Sequence, residues 1–155
     1  MKILSVFIAA LTLSISTLAS SEEHSALLFV CKFGEPNEAG GAKAHALNII
    51  YDLTLEPNIQ WTDEHRLIGP AGFSSLVKKP SEDGRGWLIS SDPVRPEGHL
   101  LMVDAMQPPQ FARGTEMFSA ALGSFDDESP RAGVCVVIEG AQAKQLFENS
   151  KRLTE

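Results

Sequence analysis

The chain has 155 residues, 43% of them apolar and 21% charged, and 13 Lys and Arg against 20 Asp and Glu give a net charge of −7. An acidic chain without a Lys/Arg cluster repels phosphate backbones and anionic lipid, which disfavours nucleic acid and membrane surfaces as partners; a basic protein is the partner it could attract, against the preferred reading that the charge only maintains solubility. The length suits a single domain with an adequate core.

Residues 1–19 read as an export signal: a basic start at Met1-Lys2, an apolar run from Ile3 to Ile15, and small residues at Thr17 and Ala19, with cleavage expected after Ala19. The run is too short and too rich in Ser and Thr to hold a membrane span. Residues 20–155 are therefore expected as one soluble β-rich domain, periplasmic or secreted. Ala26-Leu-Leu-Phe-Val-Cys-Lys-Phe33 reads as the first strand, and Gly34 to Ala44 as a long loop. Leu47, Ile49, Tyr51, Leu53 and Leu55 then alternate against Asn48, Ile50, Asp52, Thr54 and Glu56, a strand with one apolar face.

Further strands are expected at 64–69, 72–78, 87–91, 99–105 and 115–122, separated by breakers that include Gly69-Pro70, Asp83-Gly84, Asp92-Pro93 and Pro108-Pro109. An acidic loop follows at 123–132, containing Asp126-Asp127-Glu128, and then a last strand, Gly133-Val-Cys-Val-Val-Ile138. Residues 141–152 lack Gly and Pro, and Ala143, Leu146, Phe147 and Leu153 fall on one stripe at helical spacing. The fold class is mainly β: about eight antiparallel strands in a small barrel or sandwich. The first and last strands are apolar on both faces, so the terminal helix is expected to cover the outside of that pair.

Cys31 and Cys135 are the only cysteines, and in an exported chain they have one intramolecular pairing. A bond closing about 100 residues is credited with about 4.7 kcal/mol by chain entropy. A reactive thiol would need an exposed, electropositive setting, and both cysteines have large apolar neighbours.

No catalytic constellation emerges. Histidines 24, 45, 65 and 99 are scattered, and only Asp63 and His65 would share a strand face, too few ligands for a metal. The acidic run 126–128 lacks the D-x-D-x-D-G calcium pattern. Ser75-Leu-Val-Lys78 matches S-x-x-K but falls in a strand and lacks the partner motifs. Neither a cofactor nor a metal is expected. Tyr51, Trp61, Phe73, Trp87 and Phe111 are the candidates to line an apolar ligand site, against the competing reading that they fill the barrel.

The layout of Cys31-Lys-Phe-Gly34, Arg66-Leu-Ile-Gly69-Pro-Ala-Gly72 and Gly133-Val-Cys135 resembles a group of uncharacterised small exported proteins of Gram-negative bacteria. It also resembles the barrel-shaped periplasmic inhibitors of lysozyme, with an early and a late strand cysteine but without their Ser-Gly-x-x-Tyr loop. The resemblance implies fold and compartment, and carries over no functional residue. The expectation is a periplasmic or secreted non-enzymatic binding protein for a small apolar ligand or a protein. An inhibitor or interaction module is the alternative, and a small hydrolase ranks last. A carrier requires an interior cavity bordered by Tyr51, Trp87 and Ile89; an inhibitor requires a filled core and an exposed patch near 34–44 or 123–132.

Overall fold

The computed structural model describes residues 26–36, 42–68, 72–78, 85–92, 94, 97–125 and 130–154. The expected signal, the acidic run Asp126-Asp127-Glu128, the middle of the first loop and the Leu153 side chain lie outside the described residues.

Eight strands form one antiparallel sheet: β1 (Leu27–Pro36), β2 (Ala42–Tyr51), β3 (Ile59–Thr62), β4 (Ser75–Lys78), β5 (Gly86–Ser90), β6 (His99–Ala112), β7 (Thr115–Ser124) and β8 (Arg131–Glu139). The order is β3-β2-β1-β8-β7-β6-β5-β4, so the sheet curls into a nearly closed barrel whose two edges, β3 and β4, are consecutive in sequence. Ile68 and Phe73, from the connection between those two strands, lie in the core.

The seam joining the beginning and end of the barrel is the β1–β8 ladder, in which Cys31 stands directly opposite Cys135. Their Cα atoms are 4.0 Å apart and a disulfide joins them, with both residues buried inside. Gly133 pairs with Phe33 in the same ladder. A Cβ at Gly133 would stand 2.5 Å from the Phe33 ring and 2.6 Å from the Lys32 carbonyl oxygen, so only glycine admits this approach. Phe29, Phe33, Leu47, Ile49, Ile89, Leu101 and Val103 fill the interior at essentially zero exposure. Trp87 meets Phe29 and Phe118 edge to face, with centroids 5.5 and 5.3 Å away, which bridges opposite walls of the barrel.

Helix α1 (Ala141–Thr154) packs outside on β1, β2 and β8. Ala143 and Phe147 meet the outward residues Leu28 and Ile50, with Val30 and Ile138 alongside, which is why the seam strands are apolar on both faces. Leu146, expected on the buried stripe, is instead exposed. An ion pair pins the helix: Lys144 Nζ lies 2.7 Å from Asp52 Oδ2, and the Asp52 side chain is fully buried. Burial raises the Asp52 pKa, but hydrogen bonds from Lys144 and Thr54 and the Lys144 charge outweigh it, leaving the carboxyl below its ordinary value.

Several expected boundaries need correction. The loops expected at 34–44 and 123–132 are shorter, because β1 runs on to Pro36 and pairs with β2 from Ala42, and β7 runs to Ser124 and β8 begins at Arg131. The alternating strand ends at Tyr51 and not Glu56, because Asp52 organises a turn: its Oδ1 accepts from the Thr54 amide and hydroxyl, and its carbonyl oxygen accepts from the Leu55 amide. The strand expected at 64–69 is a turn as far as Ile68, the last residue described there, and β3 precedes it. Asp63 is the cause, since its two carboxylate oxygens accept the amides of Leu67 and Ile68, each at 2.8 Å. The strand expected from Gly72 begins only at Ser75. Pro108-Pro109 does not end a strand; β6 runs on to Ala112 because the β6–β7 register shifts between Ala105 and Gln110, leaving both prolines outside the regular ladder. The hairpin closes at Arg113-Gly114, both at positive φ, as a two-residue type I′ turn requires.

Candidate functional site

Side chains alternate along a strand, so the residue two before or after a core residue also faces the barrel interior. At one end of the barrel this parity brings histidines and hydroxyls inward. His45 continues the Leu47 and Ile49 face of β2, and His99 the Leu101 and Val103 face of β6. This end is filled by its own chain. The His45 ring stacks on His65 at 4.4 Å, and Trp61 meets Phe73 edge to face at 6.3 Å. The Ser91 hydroxyl, fully buried, donates to the Gly72 carbonyl oxygen and accepts the His99 amide. Gly72 adopts φ +58° beneath the Trp61 ring, where an added Cβ would overlap the ring. Burial depresses the His99 pKa, against the raising effects of the Asp63 charge and a hydrogen bond to the Gly123 carbonyl; the net shift is downward.

At the other end the same parity brings charge inward. Lys78 follows Leu76 on β4, Arg85 precedes Trp87 at the start of β5, Glu116 precedes Phe118 on β7, and Glu139 follows Val137 on β8. These four residues, with Trp87, Phe118 and Val137, line a cavity of about 270 Å³. Trp87, Phe118 and Val137 supply its apolar floor. The Arg85 guanidinium pairs with Glu116 Oε2 and lies 5.7 Å from the centroid of the Phe118 ring. The Arg85 carbonyl oxygen accepts the Ala105 amide at 3.2 Å, tying the entry of β5 to β6. The Glu116 side chain is only 16% exposed, and its Oε1 is buried without a hydrogen-bond partner among the described residues. A charged acceptor left in that state is disfavoured until a donor reaches it.

The aromatic residues singled out in the sequence divide between the two ends. Trp87 lines the cavity. Phe111 stands directly opposite Glu116 across the β6–β7 hairpin, on the same face, and is 63% exposed. Tyr51 packs against the core, and Trp61 and Phe73 pack on each other at the filled end. Ile89, also expected to border a carrier's cavity, is fully buried in the core. Arg85, Glu116 and Glu139 were not singled out in the sequence, and Lys78 only as the last residue of the S-x-x-K match; one further step of strand parity beyond Leu76, Trp87, Phe118 and Val137 finds each of them.

Outside the barrel, Leu100, Met102 and Phe125 are exposed and line an apolar groove of about 310 Å³ over β6 and β7, beside the connection from β7 to β8. Among the described residues, no group of three or more His, Cys, Asp or Glu is placed to hold a metal, and no helix is long and apolar enough to cross a membrane. Asp63 and His65, expected on one strand face, lie in the turn, and the Asp63 carboxylate is taken up by backbone amides. No family model, curated protein or solved structure matches the chain.

Proposed function

We propose that the protein is an exported, non-enzymatic binding protein whose ligand enters the open, charged end of the barrel. One observation carries this reading: an aromatic floor and four charged side chains on the inward strand face line one cavity at that end. A concave site with apolar walls and a few convergent polar groups is the usual form of a small-molecule site. Export is supported by the sequence of residues 1–19, and the buried disulfide is compatible with an oxidising compartment. Fragment screening by NMR tests the binding role: compounds that shift the Trp87 indole resonance are expected, and a screen in which none does so overturns it. Cell fractionation, with a mature protein beginning at Ser20, tests the compartment.

A second reading rests on the groove lined by Leu100, Met102 and Phe125, because an exposed apolar patch beside a long connection fits an interaction module of the lysozyme-inhibitor kind. Its test is a lysozyme turbidity assay with purified protein: slowed lysis that is relieved by Met102→Lys supports it, and unimpeded lysis overturns it.

A further inference from the structure

We infer that the open-end cavity selects a primary ammonium carried on a small apolar body, an arylalkyl or alkyl amine, with Glu116 Oε1 as its acceptor. The inference deepens the binding role proposed above and rests on it. Glu116 has two carboxylate oxygens in different situations: Oε2 is neutralised by Arg85, and Oε1 is buried and accepts no hydrogen bond from any described residue. The only ligand group that answers a buried, unfilled carboxylate oxygen is an N–H or O–H donor, and a cationic donor answers its charge as well.

The surroundings of Glu116 favour the cation. Trp87 and Phe118 line the cavity with it, and aromatic faces attract an ammonium. Arg85 already demonstrates that arrangement, with its guanidinium over Phe118 and against Glu116. Glu139 adds a second inward carboxylate at the rim. Val137 and the two rings provide apolar surface for the ligand's body, and about 270 Å³ restricts that body to the size of a fragment. The rival is an anion held by Lys78 and Arg85; it would leave Oε1 unfilled and would approach two carboxylates. A neutral hydrocarbon would use the floor alone.

The experiment titrates the full, disulfide-bonded protein at neutral pH with 2-phenylethylammonium, phenylacetate and 2-phenylethanol, following the Trp87 indole resonance. The ammonium is expected to saturate with a Kd on the order of 1 mM, as for a fragment-sized ligand. Glu116→Gln keeps the shape and removes the charge, and is expected to weaken the ammonium about tenfold, the loss of one charge-assisted hydrogen bond. Glu139→Gln is expected to weaken it by a smaller factor. Phenylacetate binding more tightly than the amine, or an affinity unchanged by Glu116→Gln, overturns the ammonium inference while leaving a ligand-binding mouth in place. Failure of all three probes to move Trp87 overturns both.

Discussion

The two ends of the barrel are made from equivalent strand positions, yet among the described residues one is closed by its own chain and the other is left open. At the closed end Ile68 and Phe73, from the connection between β3 and β4, enter the core, and polar groups beside them are taken up internally. Asp63 caps two amides, and Ser91 links Gly72 to His99. At the open end no such segment enters among the described residues, and Glu116 keeps an unfilled acceptor over an aromatic floor. Identical alternation therefore produces a plug where inward polar groups bond to the backbone and a pocket where Glu116 Oε1 does not.

Substitutions should separate the ends by their cost. Phe73→Ala empties the plug and is expected to lose about 3–5 kcal/mol in chemical denaturation, as for other large-to-small core changes. A loss under about 1 kcal/mol would show that the plug contributes little to stability. Gly72→Ala is expected to cost about 2 kcal/mol, since φ +58° disfavours a Cβ and the Trp61 ring occupies the space it needs.

Acid should act on the closed end first. The folded-state pKa of His99 is depressed below 6.5, so its contribution is complete above about pH 6.5 and declines as pH falls through the lowered value. Asp52 is likewise depressed, from 3.8, so the helix anchor persists to lower pH and is lost only on further acidification. Thermal melts across pH should show both declines. His99→Gln should remove the upper decline and leave the lower, whereas a profile unchanged by that substitution would break the assignment.

The smallest effect on stability is expected at the open end. Glu116→Gln should change unfolding free energy by less than about 1 kcal/mol, or raise it, because an unfilled carboxylate oxygen is exchanged for a neutral amide and the lost Arg85 pair is partly solvated. A loss of several kcal/mol would mean that the mouth is as structural as the plug.

The architecture was legible in the chain wherever the hydrophobic pattern was unambiguous. Leu27 to Phe33 and Val134 to Ile138 are apolar on both faces, which required an outer cover, and the stripe through Ala143 and Phe147 supplied it. Local side-chain chemistry defeated the pattern elsewhere. The Asp63 carboxylate converts 63–68 into a turn, and a register slip carries β6 past Pro108-Pro109. The candidate site was hidden for a different reason. Lys78, Arg85, Glu116 and Glu139 look like solvent-facing residues in any hydropathy reading, and only the structure shows that four separate strands end with charge turned toward one space. Trp87 was visible as an aromatic candidate but not as the floor beneath those charges.

The disulfide ties the two seam strands together on the barrel's inner face, with Cys31 at 0% and Cys135 at 1% exposure. A dissolved reductant can meet those sulfurs only after the strands separate, so the rate of thiol release in native buffer clocks how often the seam parts. Breathing confined to either mouth would leave that clock untouched, and a bound occupant would slow it only in so far as it holds the two closing strands together.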